Sequence, residues 1–167
     1  IEYLEETQTL YILGAGRYGN SFAGTDPEYT GGVATITPAD SYATTLLLDD
    51  GDAATHPMGL ITGMEIVSDS KGYVVGYQGY MDNALYAFNP STGELLLDNT
   101  GAPLTVADIQ GTSIGGLAHD RSRRLWVSIA DGTNPGLVVL DSNDDQVIAE
   151  RLQTVLNPST VIICDTP

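Results

Sequence analysis

The chain is expected to be all-β, built from β-propeller blades of four antiparallel strands, on three observations. Short apolar runs rich in Val, Ile, Thr and Tyr are separated throughout by turn clusters, and the chain holds 19 Gly and 8 Pro. Apolar strands that precede a polar turn start at residues 32, 84 and 136, two steps of 52. Two further markers, at 73 and 125 and at 63 and 115, repeat the same offset. A unit of about 40–50 residues with four short strands describes a propeller blade. A β-sandwich is the competing architecture, but it need not repeat its own sequence.

The elements follow in order. Ile1-Glu2-Tyr3-Leu4 reads as the inner strand of blade one (residues 1–50), with Leu10-Tyr11-Ile12-Leu13 and Gly32-Val33-Ala34-Thr35-Ile36 behind it. Blade two (60–99) has strands over 64–67, 73–77, 83–88 and 94–97. Its last turn, Asn89-Pro90-Ser91-Thr92-Gly93, is well specified: Pro presets φ and Gly supplies the left-handed position. Blade three (113–152) has strands over 115–118, 125–127 and 137–140. Its fourth strand is Val147-Ile148-Ala149, although residues 145–156 also suit a helix; the repeat favours the strand. Thr160-Val161-Ile162-Ile163-Cys164 would begin a fourth blade (159–164). Several strands are apolar on consecutive residues, as expected of strands buried on both faces.

The segment Tyr73-Val74-Val75-Gly76, followed by Asn83-Ala84-Leu85-Tyr86-Ala87-Phe88-Asn89-Pro90-Ser91-Thr92-Gly93-Glu94, resembles the YVTN-type β-propeller repeat of surface-layer and secreted proteins. Arg124-Leu125-Trp126-Val127-Ser128 with Leu137-Val138-Val139-Leu140-Asp141 is similar, with Ser142-Asn143-Asp144-Asp145 in place of the turn. NHL-type and quinoprotein-like propellers have comparable blades. The resemblance implies a blade scaffold and no particular reaction. Propellers close with 4–8 blades, so a single partial domain of about three blades is expected. Another segment, another chain or a second copy would complete the ring.

Charge narrows the function classes. Six Lys+Arg face 22 Asp+Glu, a formal charge of −16. Nucleic acid is excluded as a partner, because phosphate binding needs a basic patch, and anionic membrane surfaces repel such a chain. No apolar run approaches the roughly 20 residues of a membrane span, so no transmembrane segment is expected. The single cysteine, Cys164, permits no intrachain disulfide and no thiolate zinc site. The acidic, Lys-poor composition suits an extracellular, cell-surface or periplasmic setting.

Tight connections (69–72, 89–93, 120–123, 141–145) and long ones (15–31, 49–62, 78–82, 98–114, 131–135) fall at opposite ends of the blades. Long loops on a rigid scaffold carry binding, so Arg17, Tyr18, His56, Tyr77, Tyr80 and Asp82 are the candidate ligand residues, for a peptide or glycan. Tyr and Arg are the residue types enriched at binding hot spots. The alternative for these tyrosines is packing between blades. Two acidic clusters, Asp49, Asp50 and Asp52, and Asp141, Asn143 and Asp145, offer the hard oxygens that Ca²⁺ takes; they are equally good turn formers. Neither His56 nor His119 belongs to an HxH or HExxH motif, and no GxSxG elbow is present. Glu65 is placed toward the central channel or against Lys71 or Arg124. The function expected is a non-enzymatic binding or cell-surface scaffold. A lactonase-like or quinoprotein-like enzyme, with a metal or cofactor in the channel, is the alternative.

Overall fold

A computed structural model describes residues 1–20, 26, 28–50, 57–106 and 109–164. The described chain is all-β, with three antiparallel sheets, none of them closed on itself. The first sheet runs in chain order through β1 (Glu2–Leu4), β2 (Thr9–Gly14), β3 (Gly32–Ile36) and β4 (Thr44–Asp49). The second runs through β5 (Leu60–Ile66), β6 (Gly72–Gly79) and β7 (Asp82–Phe88). The third runs through β8 (Ile114–His119), β9 (Arg124–Ile129), β10 (Gly136–Asp141) and β11 (Gln146–Val147), and β12 (Leu152–Gln153) also pairs with β10. No helix among the described residues is long and apolar enough to cross a membrane.

The consecutive apolar residues of β6 are explained by two cores. Tyr73 and Val75 project from one face of the sheet, toward Leu125, Val127, Ile129, Val138 and Leu140 of the third sheet. Val74 projects from the other, toward Tyr11, Val33 and Leu48 of the first sheet, together with Met64, Tyr86 and Phe88. The second sheet is therefore the middle layer, buried on both faces. Full burial of each such side chain is worth about 1.5–3 kcal/mol, so the middle sheet is the best-anchored element. The first strands are neighbours in space: β1 lies beside β5, and β5 beside β8.

Stacking is directional and carries a repeated aromatic. In the ladders, Tyr11 pairs with Thr35, Tyr73 with Ala87, and Trp126 with Val139. Positions 35, 87 and 139 keep the 52-residue step, but position 126 lies 53 beyond 73. The sequence offset aligns Leu125 with Tyr73; the ladder aligns Trp126 instead. Because side chains alternate along a strand, this one-residue change sends Leu125 back to the second sheet and Trp126 to the opposite face. Tyr11 and Tyr73 are buried, and each hydroxyl donates to the tight turn of the following sheet. Tyr11 reaches the Pro90 carbonyl at 3.5 Å, and Tyr73 reaches Asp145 Oδ1 at 2.6 Å.

Three expected strands differ from the structure. Of 147–149, only Val147 lies in a strand, the two-residue β11. Residues 94–97 reduce to the bridges Phe88↔Leu95 and Leu97↔Pro103, although the Leu96 N–H still donates to the Ala87 carbonyl at 3.0 Å. Residues 160–164 form no strand. Residues 158–161 instead lie against the backbone of Gly115 and Gly116 on β8, so closely that a Cβ at either glycine would crowd them. At the Asn89–Gly93 turn the expectation holds: Gly93 has φ +76°, and the Leu47 carbonyl lies where a Cβ would project.

Candidate functional site

The long connections of the first two sheets meet at one end. Arg17 is held within its own loop: Nε reaches Asp26 Oδ2 at 2.9 Å and the second guanidinium nitrogen does so at 2.5 Å. Its guanidinium also lies 3.9 Å from the centre of the Tyr29 ring, in cation–π range. The Arg17 hydrogen bond, helped by the Glu28 backbone N–H, holds the Asp26 carboxyl below its usual range. The next residue, Tyr18, meets Tyr77 of β6 edge to face, with ring centres 5.2 Å apart. The Gln78 side-chain amide donates to the Pro57 carbonyl, and the Tyr86 hydroxyl reaches the same oxygen at 3.3 Å. Burial, and then the Asp82 charge, raise the Tyr86 phenol above its ordinary pKa.

Of the six ligand candidates, the structure joins Tyr18 directly to Tyr77, while the Arg17 side chain is engaged with Asp26 and Tyr29. Tyr80 is 89% exposed at the tip of the β6–β7 hairpin, and Asp82 is exposed at the first position of β7. His56 lies outside the described residues.

The acidic clusters have other partners. Asp50 is buried; Oδ1 accepts from the Gly31 N–H at 2.6 Å and Oδ2 from the Ile61 N–H at 3.1 Å. Asp49 is the last residue of β4, and Asp52 lies outside the described residues. Asp141 Oδ1 accepts from the backbone N–H and the side-chain amide of Asn143, at 2.9 and 2.7 Å. Asp145 binds Lys71 Nζ through one oxygen at 2.6 Å and the Tyr73 hydroxyl through the other. Among the described residues, no three His, Cys, Asp or Glu side chains converge as metal ligands.

The first strands carry a second cluster. Glu65 on β5 accepts from the His119 backbone N–H at 3.0 Å and lies 2.6 Å from His119 Nδ1. Neither Lys71 nor Arg124 is its partner: Lys71 pairs with Asp145, and Arg124 pairs with Asp120 at 2.6 Å. The Glu65 hydrogen bond raises the His119 pKa despite partial burial. Glu2 on β1 is close enough that, after burial, the Glu65 charge raises its carboxyl as well. Glu65 thus fixes one imidazole nitrogen, Nδ1. Sequence spacing could not reveal this pair, because Glu65 and His119 are 54 positions apart and belong to no motif.

The chain matches no family model and no curated protein.

Proposed function

We propose that the three sheets are consecutive blades of a β-propeller whose ring is completed by further blades, and that the protein serves as a non-enzymatic extracytoplasmic binding or assembly scaffold. The observation that carries this is the directional stacking. Tyr11 and Tyr73 occupy one register position and bond forward to the next sheet, while β1, β5 and β8 lie side by side. That is the arrangement of inner strands around a propeller axis.

The outer face of the first sheet supports an incomplete ring. Tyr3, Leu46 and Tyr42 are 59%, 62% and 71% exposed. An open cavity of about 460 Å³ lies there among Tyr3, Leu10, Ile36 and Tyr42. In the second sheet the corresponding face is covered by its neighbour, and an apolar face of this kind marks an interaction surface. The binding rim is the long-loop end, where Tyr18, next in the chain to Arg17, meets Tyr77. The acidic, Lys-poor composition fits an extracytoplasmic setting.

Peptide and glycan arrays test the role of the rim. The intact chain should retain a ligand class, and Tyr18→Ala or Tyr77→Ala should abolish retention while the circular dichroism spectrum stays unchanged. Retention that survives both substitutions, or no retention at all, contradicts binding at this rim.

A further inference from the structure

We propose that the tight-turn end of the second and third sheets holds a binding site for a tetrahedral oxyanion, a phosphate or sulfate group, with Arg123, Ser142 and Lys71 as its donors. The site lies at the end opposite the aromatic rim, and it does not depend on how the ring closes.

A cavity of about 270 Å³ opens between the Ser68–Lys71 turn, Arg123 and the Ser142–Asn143 turn. Its only charged lining residues are cations, Lys71 and Arg123, in a chain with six Lys+Arg and 22 Asp+Glu. Ser142 is 4% exposed, and its backbone N–H donates to the Arg123 carbonyl at 3.1 Å. Its hydroxyl makes no hydrogen bond among the described residues. Leaving a buried hydroxyl unpaired costs about 1–3 kcal/mol, so the group is poised for a partner supplied from the cavity. Ser68, equally buried, has two long contacts to Ser70 for its hydroxyl, accepting from the backbone N–H at 3.4 Å and lying 3.4 Å from the Ser70 hydroxyl.

The second sheet provides an internal comparison. In its tight turn, Ser91 also donates its N–H to a carbonyl of the facing turn, that of Asp69, at 3.1 Å. There the hydroxyl bonds the same carbonyl at 2.6 Å and stands at the surface. The fold can therefore satisfy a serine in this kind of turn, and in the third sheet it does not.

Arg123 points the same way. Its guanidinium has no ion pair or hydrogen bond among the described residues, whereas Arg17, Arg124 and Arg151 each hold an aspartate. A guanidinium fork matches two oxygens of a phosphate or sulfate. A planar carboxylate would be satisfied by that fork alone. The hydroxyl of Ser142 and the ammonium of Lys71, arriving from two other turns, suit the further oxygens of a tetrahedral group. Lys71 is anchored by Asp145, whose other oxygen is held by Tyr73, so this carboxylate is already compensated. Asp141 turns into its own loop, accepting from Asn143, and Asp144 accepts from the Gln146 N–H at 3.0 Å.

The test is an amide NMR titration of the intact chain with inorganic phosphate and, separately, sulfate, at constant ionic strength, with acetate as the planar comparison. Saturable shifts should be confined to residues 67–71, 123 and 142–143, and acetate should bind more weakly than the better tetrahedral anion. Saturation by one tetrahedral anion alone identifies the group, and saturation by both assigns the shared chemistry. Arg123→Gln should weaken binding at least about tenfold, as expected for loss of hydrogen bonds to a charged group. Ser142→Ala should weaken it several-fold while leaving the free protein as stable as before or more so, because the hydroxyl it removes has no partner. The proposal is overturned if neither tetrahedral anion saturates, if acetate binds as tightly as the better of them, if Arg123→Gln leaves the affinity unchanged, or if Ser142→Ala destabilises the free chain.

Discussion

Asp50 fastens the first sheet to the second, and its removal should be costly. The carboxylate, 1% exposed, accepts from the Gly31 N–H beside β3 and from the Ile61 N–H within β5. Asp50→Ala leaves the buried Ile61 N–H and the half-buried Gly31 N–H without an acceptor, at about 1–3 kcal/mol each. Removing a buried charge returns part of that, so a net loss of about 3 kcal/mol is expected. For a domain of this size that corresponds to a fall in Tm of about 6–12 °C. Asp50→Asn should lose less, because one oxygen is kept while the new amide NH₂ confronts the other N–H. Urea unfolding, followed by circular dichroism and by the fluorescence of Trp126, the single tryptophan, measures both. A loss below about 0.5 kcal/mol for Asp50→Ala, the range of an ordinary surface change, would show that Asp50 does not fasten the two sheets.

Two further outcomes follow from the contacts between the second and third sheets. The His119 pKa is raised by Glu65, so the stabilisation it brings is complete below the unfolded value near about pH 6.5 and is lost as pH rises through the folded value. Tm should fall across that window and Glu65→Gln should flatten the fall; a flat profile in the parent chain, or a His119 titration at or below the unfolded value, contradicts this. Tyr73→Phe removes a hydroxyl bonded at 2.6 Å to Asp145 and should cost about 1.5–3 kcal/mol. Combined with Asp145→Ala the loss should be less than additive, because both changes break one contact; full additivity in chemical denaturation would show that the two residues act separately.

The strands at 10–13, 32–36, 73–75, 85–88, 125–127 and 137–140 could be read from the chain because they are apolar on consecutive residues and bounded by turn residues. Burial on both faces leaves that mark on sequence. The strand expected over 94–97 does not form, since Glu94, Leu95, Leu96 and Leu97 lie at an edge where pairing falls to single bridges. The 52-residue step hid the shift at Trp126, because Leu125-Trp126-Val127 matches Tyr73-Val74-Val75 equally well as an apolar triplet; only the ladder to Val139 separates the two alignments. Charged partners were the least legible. Asp50 and Asp145 have the composition of turn or cation ligands, yet both bind across sheets, through groups 11 and 72–74 residues away. Glu65 found His119 rather than a lysine or arginine because the neighbouring strands β5 and β8 bring them together. At the rim, Tyr18 and Tyr77 were named from residue type and loop length, and their edge-to-face contact joins them.

The central claim is that these three sheets are blades of a larger ring, with an apolar flank on the first sheet that another blade must cover. Sedimentation equilibrium of the purified chain at micromolar concentration tests it most directly. Reversible association to species heavier than the 17.6 kDa of one chain is expected, weakened by Leu46→Lys on the open face of the first sheet. A compact, stably folded monomer of 17.6 kDa at every concentration would contradict it.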